Sequence, residues 1–311
     1  LRFAVLTAYP QEDWHSERIV NSLRRHGEVQ VVDPAELSAE IGRAGLEVRI
    51  GNVEASSFDG FVLARGLSPR GNGDAQFSLY QALEEEGALV VNRIGALLDA
   101  QDKFRSSLLL KRAGVRTPRA ALAQSAEAAR RFAGSGTEVV IKPLAGSLGE
   151  GVERLPAGPE GERLVAERTA AEGAIYLQEW VPNPGRDMRV FVVGGRAVGA
   201  VERCAAPGEF RANVAQGATP RPARMLPETA RCAERAAVAL GLDYTGIDLI
   251  ETPLGPEVIE VNGNPSFDMF FEAMGVDMSE EIARHVAERA VQHGARRALE
   301  ESRQGRQALE R

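Results

Sequence analysis

A chain of 311 residues with 44% hydrophobic and 26% charged residues can bury cores in several lobes and has the make-up of an ordinary globular protein. Its formal charge of −7 argues against a general nucleic-acid binder, which needs a basic face, but leaves room for a local cationic cleft. No apolar run is long enough to cross a bilayer, and Leu1–Leu6 reads as a strand where a signal peptide would carry a basic start, so no membrane association is expected and cytoplasm is the expected setting. Cys204 and Cys232 are too few for a disulfide framework, and His15, His26, His285 and His293 have no metal-ligand spacing, which excludes a zinc enzyme as the working hypothesis.

Strand and helix patterns alternate from the start, as in an α/β layer fold. Phe3–Ala8 is a short apolar strand, and Trp14–His26 has helical spacing ended by Gly27. Val29–Val32 and Gly60–Ala64 are further buried strands, and the glycine-rich stretch Arg65–Gly73 is a loop. Phe77–Glu86 reads as a helix and Ala88–Asn92 as a strand. A second unit begins near Ile94, with a helix opened by Asp102-Lys103 and closed by Gly114. Ser125 caps the next helix, Glu138–Lys142 is a Val- and Ile-rich strand, and Pro143–Gly151 is a glycine-rich loop. The helix Gly161–Glu172 leads into the strand Ala174–Val181. Asp187–Val193 and Arg196–Arg203 form a hairpin through Gly194-Gly195. The helix Pro227–Leu240 precedes a second hairpin, Gly246–Glu251 with Glu257–Asn262. Past Gln292 the chain is rich in Arg, Glu and Gln and reads as a solvated helix or a frayed end. The expected divisions are residues 1–93, 94–182, 183–290 and a charged tail, 291–311.

The strongest chemical signal is Asp248 with Glu260 and Asn262. Side chains alternate along a strand, so Glu260 and Asn262 share a face, and a short turn brings Asp248 opposite them. Two carboxylates and an amide oxygen suit Mg²⁺, which takes few protein ligands alongside phosphate oxygens. Hydrated strand ends are the bland alternative. The metal is preferred, because the flanking residues Ile247, Leu249, Ile250, Val258, Ile259 and Val261 mark buried strands where unpaired carboxylates are costly. Lys142, at the end of Val139-Val140-Ile141 and beside Gly146-Ser147-Leu148-Gly149, is placed to meet phosphate oxygens, although the loop matches neither common phosphate-loop fingerprint. Gln178-Glu179-Trp180-Val181 ends an apolar strand where an adenine edge can be read, and Asp187 is a ribose candidate; a satisfied loop is the commoner reading of such a feature alone. Arg203 and the run Phe210-Arg211-Ala212-Asn213 offer groups for a phosphoryl or carboxylate, against an equal prior of surface arginine. Arg65 and Arg70 are weaker carboxylate candidates.

The order Asp102-Lys103, Val140-Ile141-Lys142-Pro143, Gly146-Ser147-x-Gly149, Gln178-Glu179, Arg186-Asp187-Met188-Arg189, Phe210-Arg211-Ala212-Asn213, Gly246-Ile247-Asp248 and Val258–Asn262 resembles the ATP-grasp fold in its RimK-like form, over roughly residues 92–286. The preceding segment is similar to the pre-ATP-grasp, Rossmann-like domain of that family. The resemblance implies an α/β fold with α+β lobes, and the ATP-dependent joining of an amino acid such as L-glutamate to an acceptor carboxylate through an acyl phosphate. It implies that Lys103 and Lys142 contact ATP phosphates under a lid carrying Ser147 and Gly149. Gln178, Glu179, Trp180 and Val181 then surround the adenine, and Asp187 holds the ribose. Arg211, Ala212 and Asn213 lie near the phosphates, Arg203 and Lys142 assist the chemistry, and Asp248, Glu260 and Asn262 bind two Mg²⁺ or Mn²⁺ ions. Arg65, Arg189, Asn213 and Asn264 are the substrate candidates. The implied acceptor is a pterin- or deazaflavin-type coenzyme, a carrier protein or a protein C-terminus, and a homo-oligomer is expected. The alternatives are a ligase joining two small metabolites, or a non-catalytic ATP-binding subunit. Two departures bear on the acceptor: Gln216 stands where the family pattern has a basic residue, and Asn262–Phe267 differs from the small-residue version of the ribosomal-protein ligase.

Overall fold

The computed structural model describes residues 1–9, 12–43, 45–144, 151–183, 185–206 and 217–309, so Ser147, Gly149, Arg211, Ala212, Asn213 and Gln216 lie outside the described residues. The chain divides into two compact units, one of residues 1–94, 266–268 and 277–311, the other of 95–265 and 269–276.

The first unit runs β1 (Arg2–Thr7), α1 (Trp14–Leu23), β2 (Glu28–Val32), β3 (Leu37–Gly42), β4 (Gly45–Ile50), β5 (Val53–Glu54), β6 (Gly60–Arg65), α2 (Gly73–Glu85) and β7 (Val90–Val91). Strands in the order β2-β1-β6-β7 form a parallel sheet. Phe3, Ala4, Val5, Phe61 and Val62 are fully buried there, the continuous apolar run that a parallel sheet covered on both faces demands. The Asp13 carboxylate caps α1 by accepting from the Ser16 amide at 2.8 Å. β3, β4 and β5 form a separate antiparallel sheet that the residue pattern did not announce. In its two longer strands only Leu37, Val48 and Ile50 are buried, too few to write an alternation. The helix expected from Phe77 begins four residues earlier, at Gly73, because Asn72 caps it onto the Ala75 amide.

The second unit begins with α3 (Ile94–Gln101) and α4 (Lys103–Arg112). It continues through β8 (Ala120–Ala123), α5 (Ala126–Ala133), β9 (Val139–Lys142), β10 (Glu153–Leu155), α6 (Pro159–Glu172) and β11 (Ile175–Glu179). These strands form an antiparallel sheet in the order β10-β9-β11-β8. One face is apolar: Val139, Ile141, Ile175 and Leu177 pack with Phe132 of α5 and Val165 of α6, each large side chain contributing roughly 1.5–3 kcal/mol by leaving water. Strand alternation therefore turns Lys142, Tyr176 and Gln178 to the opposite face.

Next come β12 (Arg186–Val193), β13 (Arg196–Cys204), β14 (Thr219–Pro222), α7 (Pro227–Leu240), β15 (Tyr244–Thr252), β16 (Gly255–Asn262) and α8 (Asp268–Met274). The five strands pair antiparallel in the order β14-β13-β12-β15-β16. Gly194 and Gly195 both have positive φ, 57° and 73°, which is what the expected two-residue hairpin turn requires. Val190, Ile247, Leu249, Val258 and Val261 pack with Ala233, Ala236 and Leu240 of α7. A register shift between Asp248 and Leu249 lets Val258 and Val261, three positions apart, both face that core while Glu260 faces away. The chain then returns to the first unit as α9 (Met278–Leu309), so the charged tail continues a helix.

Candidate active site

The site grows on the polar face of the five-stranded sheet. Asp187 pairs in register with Arg203, Arg189 with Asp248, and Asp248 with Glu260. Asn262, two residues beyond Glu260, points the same way. Three neighbouring strands and their β16 partner thus present a band of charge whose reverse side is the hydrophobic core.

Within that band the charges are matched closely. Arg189 Nε lies 2.6 Å from Asp248 Oδ1 and its Nη2 2.7 Å from Oδ2. Arg203 makes the same two-pronged contact with Asp187, at 2.7 and 2.6 Å, and its Nη2 also reaches Asp248 Oδ2 at 2.9 Å. The Asp248 side chain is 1% exposed and that of Arg203 3%. Burial alone drives the Asp248 carboxyl upward, but Arg189 and Arg203 outweigh it and hold the group down at about 2. Asp187 goes the other way, because its burial outweighs the pull of Arg203.

Two lysines complete the arrangement. Asp102 caps α4 by accepting from the Phe104 and Arg105 amides at 2.9 Å each, which fixes Lys103 as the first helical residue. Lys103 Nζ then stands 3.5 Å from Glu260 Oε1. Lys142 donates to Gln178 Oε1 at 2.6 Å, and burial lowers its pKa against the opposing field of Glu260. Lys103, Lys142, Arg189 and Arg203 set four cations against the three carboxylates of Asp187, Asp248 and Glu260, a balance of +1 that favours a polyanion.

The donor set fits a hard divalent cation. Asp248 and Glu260 present carboxylate oxygens on one face and Asn262 can add its amide oxygen, while its Nδ2 donates to the Gly246 carbonyl at 3.3 Å and lies 3.5 Å from Asp248 Oδ2. Among the described residues no three His, Cys, Asp or Glu side chains are grouped to hold a metal by themselves. Both Asp248 oxygens are engaged by guanidinium groups, so the carboxylate is kept ionised and oriented.

Other expected residues are more dispersed. Glu179 Oε2 lies 3.5 Å from Arg119 Nε, and its amide donates to the Arg119 carbonyl at 2.8 Å. The Trp180 ring carries the Arg154 guanidinium 4.3 Å from its centroid, and Val181 is buried. Asn264 is half-buried just past β16. Arg65 belongs to the first unit, where its Nε bonds Asp13 at 3.0 Å and its Nη2 lies 3.2 Å from His15 Nδ1.

A family model described as a RimK-like ATP-grasp domain matches residues 100–286, which contain every group in this band. The chain belongs to the RimK-like ATP-grasp family. Among curated relatives, the tetrahydromethanopterin:alpha-L-glutamate ligase of Methanosarcina acetivorans is 30% identical over 310 residues, with 88% of this chain and 95% of the relative covered. A probable alpha-L-glutamate ligase of Thioalkalivibrio sulfidiphilus is 31% identical over 284 residues, covering 90% and 93%. Among solved structures, the ATP-grasp ligase PsnB complexed with minimal precursor, Mg and ADP superposes with a TM-score of 0.71 at 22% identity, covering 93% of this chain and 98% of that one. The mixed α/β architecture is accordingly that of the ATP-grasp ligases, and this RimK-like chain is an ATP-dependent ligase of a family that works with ATP and Mg²⁺.

Two features of this ATP-grasp site escaped the sequence. Arg189, a substrate candidate on the family pattern, is paired with Asp248, and only the pairing of β12 with β15 reveals this. Tyr176 carries no motif signal, yet its hydroxyl lies 2.9 Å from Ser107 Oγ and accepts from Gln178 at 3.3 Å.

Proposed function

We propose that the chain joins L-glutamate to a carboxylate on a coenzyme of pterin or deazaflavin type, on a carrier protein or on a protein C-terminus. The observation that carries this reading is the charged band: two lysines and two arginines confront two carboxylates of a hard-cation donor set on one sheet face. The alpha-L-glutamate ligases among the relatives support the choice of amino acid.

In this reading the acceptor carboxylate attacks the γ-phosphoryl group of ATP, giving an acyl phosphate and ADP. The glutamate amine then displaces phosphate to form the amide. Lys103 and Lys142 bind phosphate oxygens, and Arg203 neutralises charge on the departing phosphate. Asp248, Glu260 and Asn262 would hold Mg²⁺, with Mn²⁺ as a substitute and two ions as the full complement, and an ion there would supply screening of the phosphate charge that repels the attacking carboxylate. Glu179, Trp180 and Val181 line the adenine position. Ser147, Gly149, Arg211, Ala212 and Asn213 are assigned to the phosphates, and Asn264 and Arg65 to substrate, on family pattern alone. Asp187 is assigned to the ribose on the same ground, though its carboxylate is already held by Arg203.

We divide the molecule into a pre-ATP-grasp domain, 1–93, whose parallel sheet supports a Rossmann-like reading, a lid half, 94–182, a catalytic half, 183–290, and a helical tail, 291–311. The working form is a cytoplasmic homo-oligomer, to be measured by light scattering. The deciding experiment is a coupled ADP-release screen of amino acids against defined acceptors and cell extract, with mass spectrometry of the product. ADP release requiring both glutamate and an acceptor, with the product heavier by one glutamyl residue, is expected. Nucleotide binding with no release under any pair would overturn the ligation reading.

A further inference from the structure

We propose that Tyr176 is a positioning residue for nucleotide binding, holding the Lys142 ammonium in place through a hydrogen-bond relay anchored on Ser107. The inference rests on the phosphate-binding role of Lys142 given above and adds residues that the family pattern does not include.

The relay follows from donor and acceptor chemistry. An ammonium can only donate, so the short contact of 2.6 Å between Lys142 Nζ and Gln178 fixes the amide with its oxygen toward the lysine. The Gln178 nitrogen must then point the other way, where it donates to the Tyr176 hydroxyl at 3.3 Å. The Tyr176 hydroxyl is in turn hydrogen-bonded to Ser107 Oγ, 2.9 Å away, where either oxygen can donate. Each link removes a rotational choice from the one before it.

The backbone makes the relay rigid. Tyr176 and Lys142 are register partners on β11 and β9, and Gln178 follows Tyr176 by two residues on the same face. The Tyr176 ring is 1% exposed and Gln178 3%, so no water is at hand to replace a lost partner. Burial lifts the Tyr176 phenol to about 12, so it stays a neutral hydroxyl at any working pH. Ser107 lies four residues after Lys103 on α4, hence on the same helical face. Both phosphate-directed lysines are thereby referred to one framework: Lys103 by the helix itself, and Lys142 by the chain of side chains that ends one turn further along it.

Tyr176→Phe deletes the hydroxyl and keeps the ring. Gln178 then loses the partner that fixes its amide, and Lys142 loses a fixed acceptor. The ATP dissociation constant of the full-length protein, measured calorimetrically with Mg²⁺, is expected to rise about fivefold, the factor equivalent to roughly 1 kcal/mol for one hydrogen bond. Ser107→Ala is expected to weaken ATP in the same direction with little change in melting temperature; because Ser107 is only half-buried, it also reads the relay should Tyr176→Phe fold poorly. With Lys142→Ala already present, titrated to millimolar ATP, Tyr176→Phe should add no further loss, since the relay has nothing left to position. Unchanged ATP affinity in a folded Tyr176→Phe, or an equal penalty with and without Lys142, would overturn the proposal. Wild-type protein that binds no ATP would instead overturn the function on which it rests.

Discussion

Arg189 holds Asp248 by both prongs of its guanidinium group, at 2.6 and 2.7 Å, with the carboxylate side chain 1% exposed. A fork of this kind fixes direction as well as charge. Its consequence is that the central carboxylate of the proposed cation site is already ionised and aimed before any ligand arrives.

Arg189→Ala leaves Asp248 buried beside Arg203 alone, and the cost of stranding part of a buried pair is about 3–5 kcal/mol. Arg189→Lys restores the charge without the fork and should recover only part of it. Denaturant unfolding of both variants checks this; a loss below about 1 kcal/mol in the alanine variant contradicts a structural grip. The acid side gives a sign test. Asp248 is depressed from 3.8 to about 2, so its contribution is complete above pH 3.8 and disappears as the pH falls toward 2. The stability gap between wild type and Arg189→Ala should narrow across that window.

Glu260→Gln removes one negative oxygen from the cation site and the partner of Lys103, in a side chain that is 26% exposed. Exposure keeps the folding penalty small, so circular dichroism should match wild type while glutamate-dependent ADP release falls to background. Substantial turnover in this variant would remove the metal assignment.

Much of this was legible in the residues, for reasons that differ by element. The late hairpin announced itself because one face is Val and Ile while the other holds Asp248, Glu260 and Asn262, a pattern that only a strand with a dry side and a chemical side produces. The Ser125 and Asp102 caps were equally plain, since a short polar side chain before a helical run has few other uses. Contacts between distant strands were not legible. Arg189 and Asp248 are separated by 59 residues, and an arginine in sequence looks the same whether it reaches solvent or a buried carboxylate. The β3 to β5 sheet stayed hidden because Ser38, Ala39, Glu40 and Ile41 are all exposed and leave no period to count. The register shift after Asp248 was hidden too, since it depends on how β16 meets β15.

Gly246 is a tight spot in the same sheet. A Cβ there would stand 3.0 Å from Pro265 Cβ, 3.5 Å from Arg189 Cδ and 3.6 Å from Arg189 Nε. Gly246→Ala should therefore cost about 1–3 kcal/mol through overpacking against Pro265, while the ordinary contact distances to Arg189 leave Asp248 oriented and turnover close to wild type. Thermal unfolding and ADP release report the two effects separately. A variant with wild-type stability would mean that the sheet yields at Pro265, and a variant with lost turnover would mean that Arg189 is displaced after all.

In the first unit, His15 carries a pH prediction. Its Nδ1 lies 3.3 Å from Asp13 Oδ1 and 3.2 Å from Arg65 Nη2, and its Nε2 lies 3.6 Å from Asp268 Oδ1. Nδ1 cannot satisfy both neighbours: protonated it donates to Asp13, and deprotonated it accepts from Arg65. Burial and Arg65 depress the imidazole, but the hydrogen bond to Asp13 and the nearby Asp268 carboxylate prevail and raise it above its ordinary 6.5. A raised folded value means that the stability from His15 is fully present below pH 6.5 and is lost as the pH climbs through the folded value. Asp13→Asn keeps the helix cap but removes the charge, so the His15 titration followed by NMR should move down. Arg65→Gln removes the opposing cation, so the same signal should move up. No shift in either variant would show that burial alone sets the titration, and the charged neighbours would lose their assigned part.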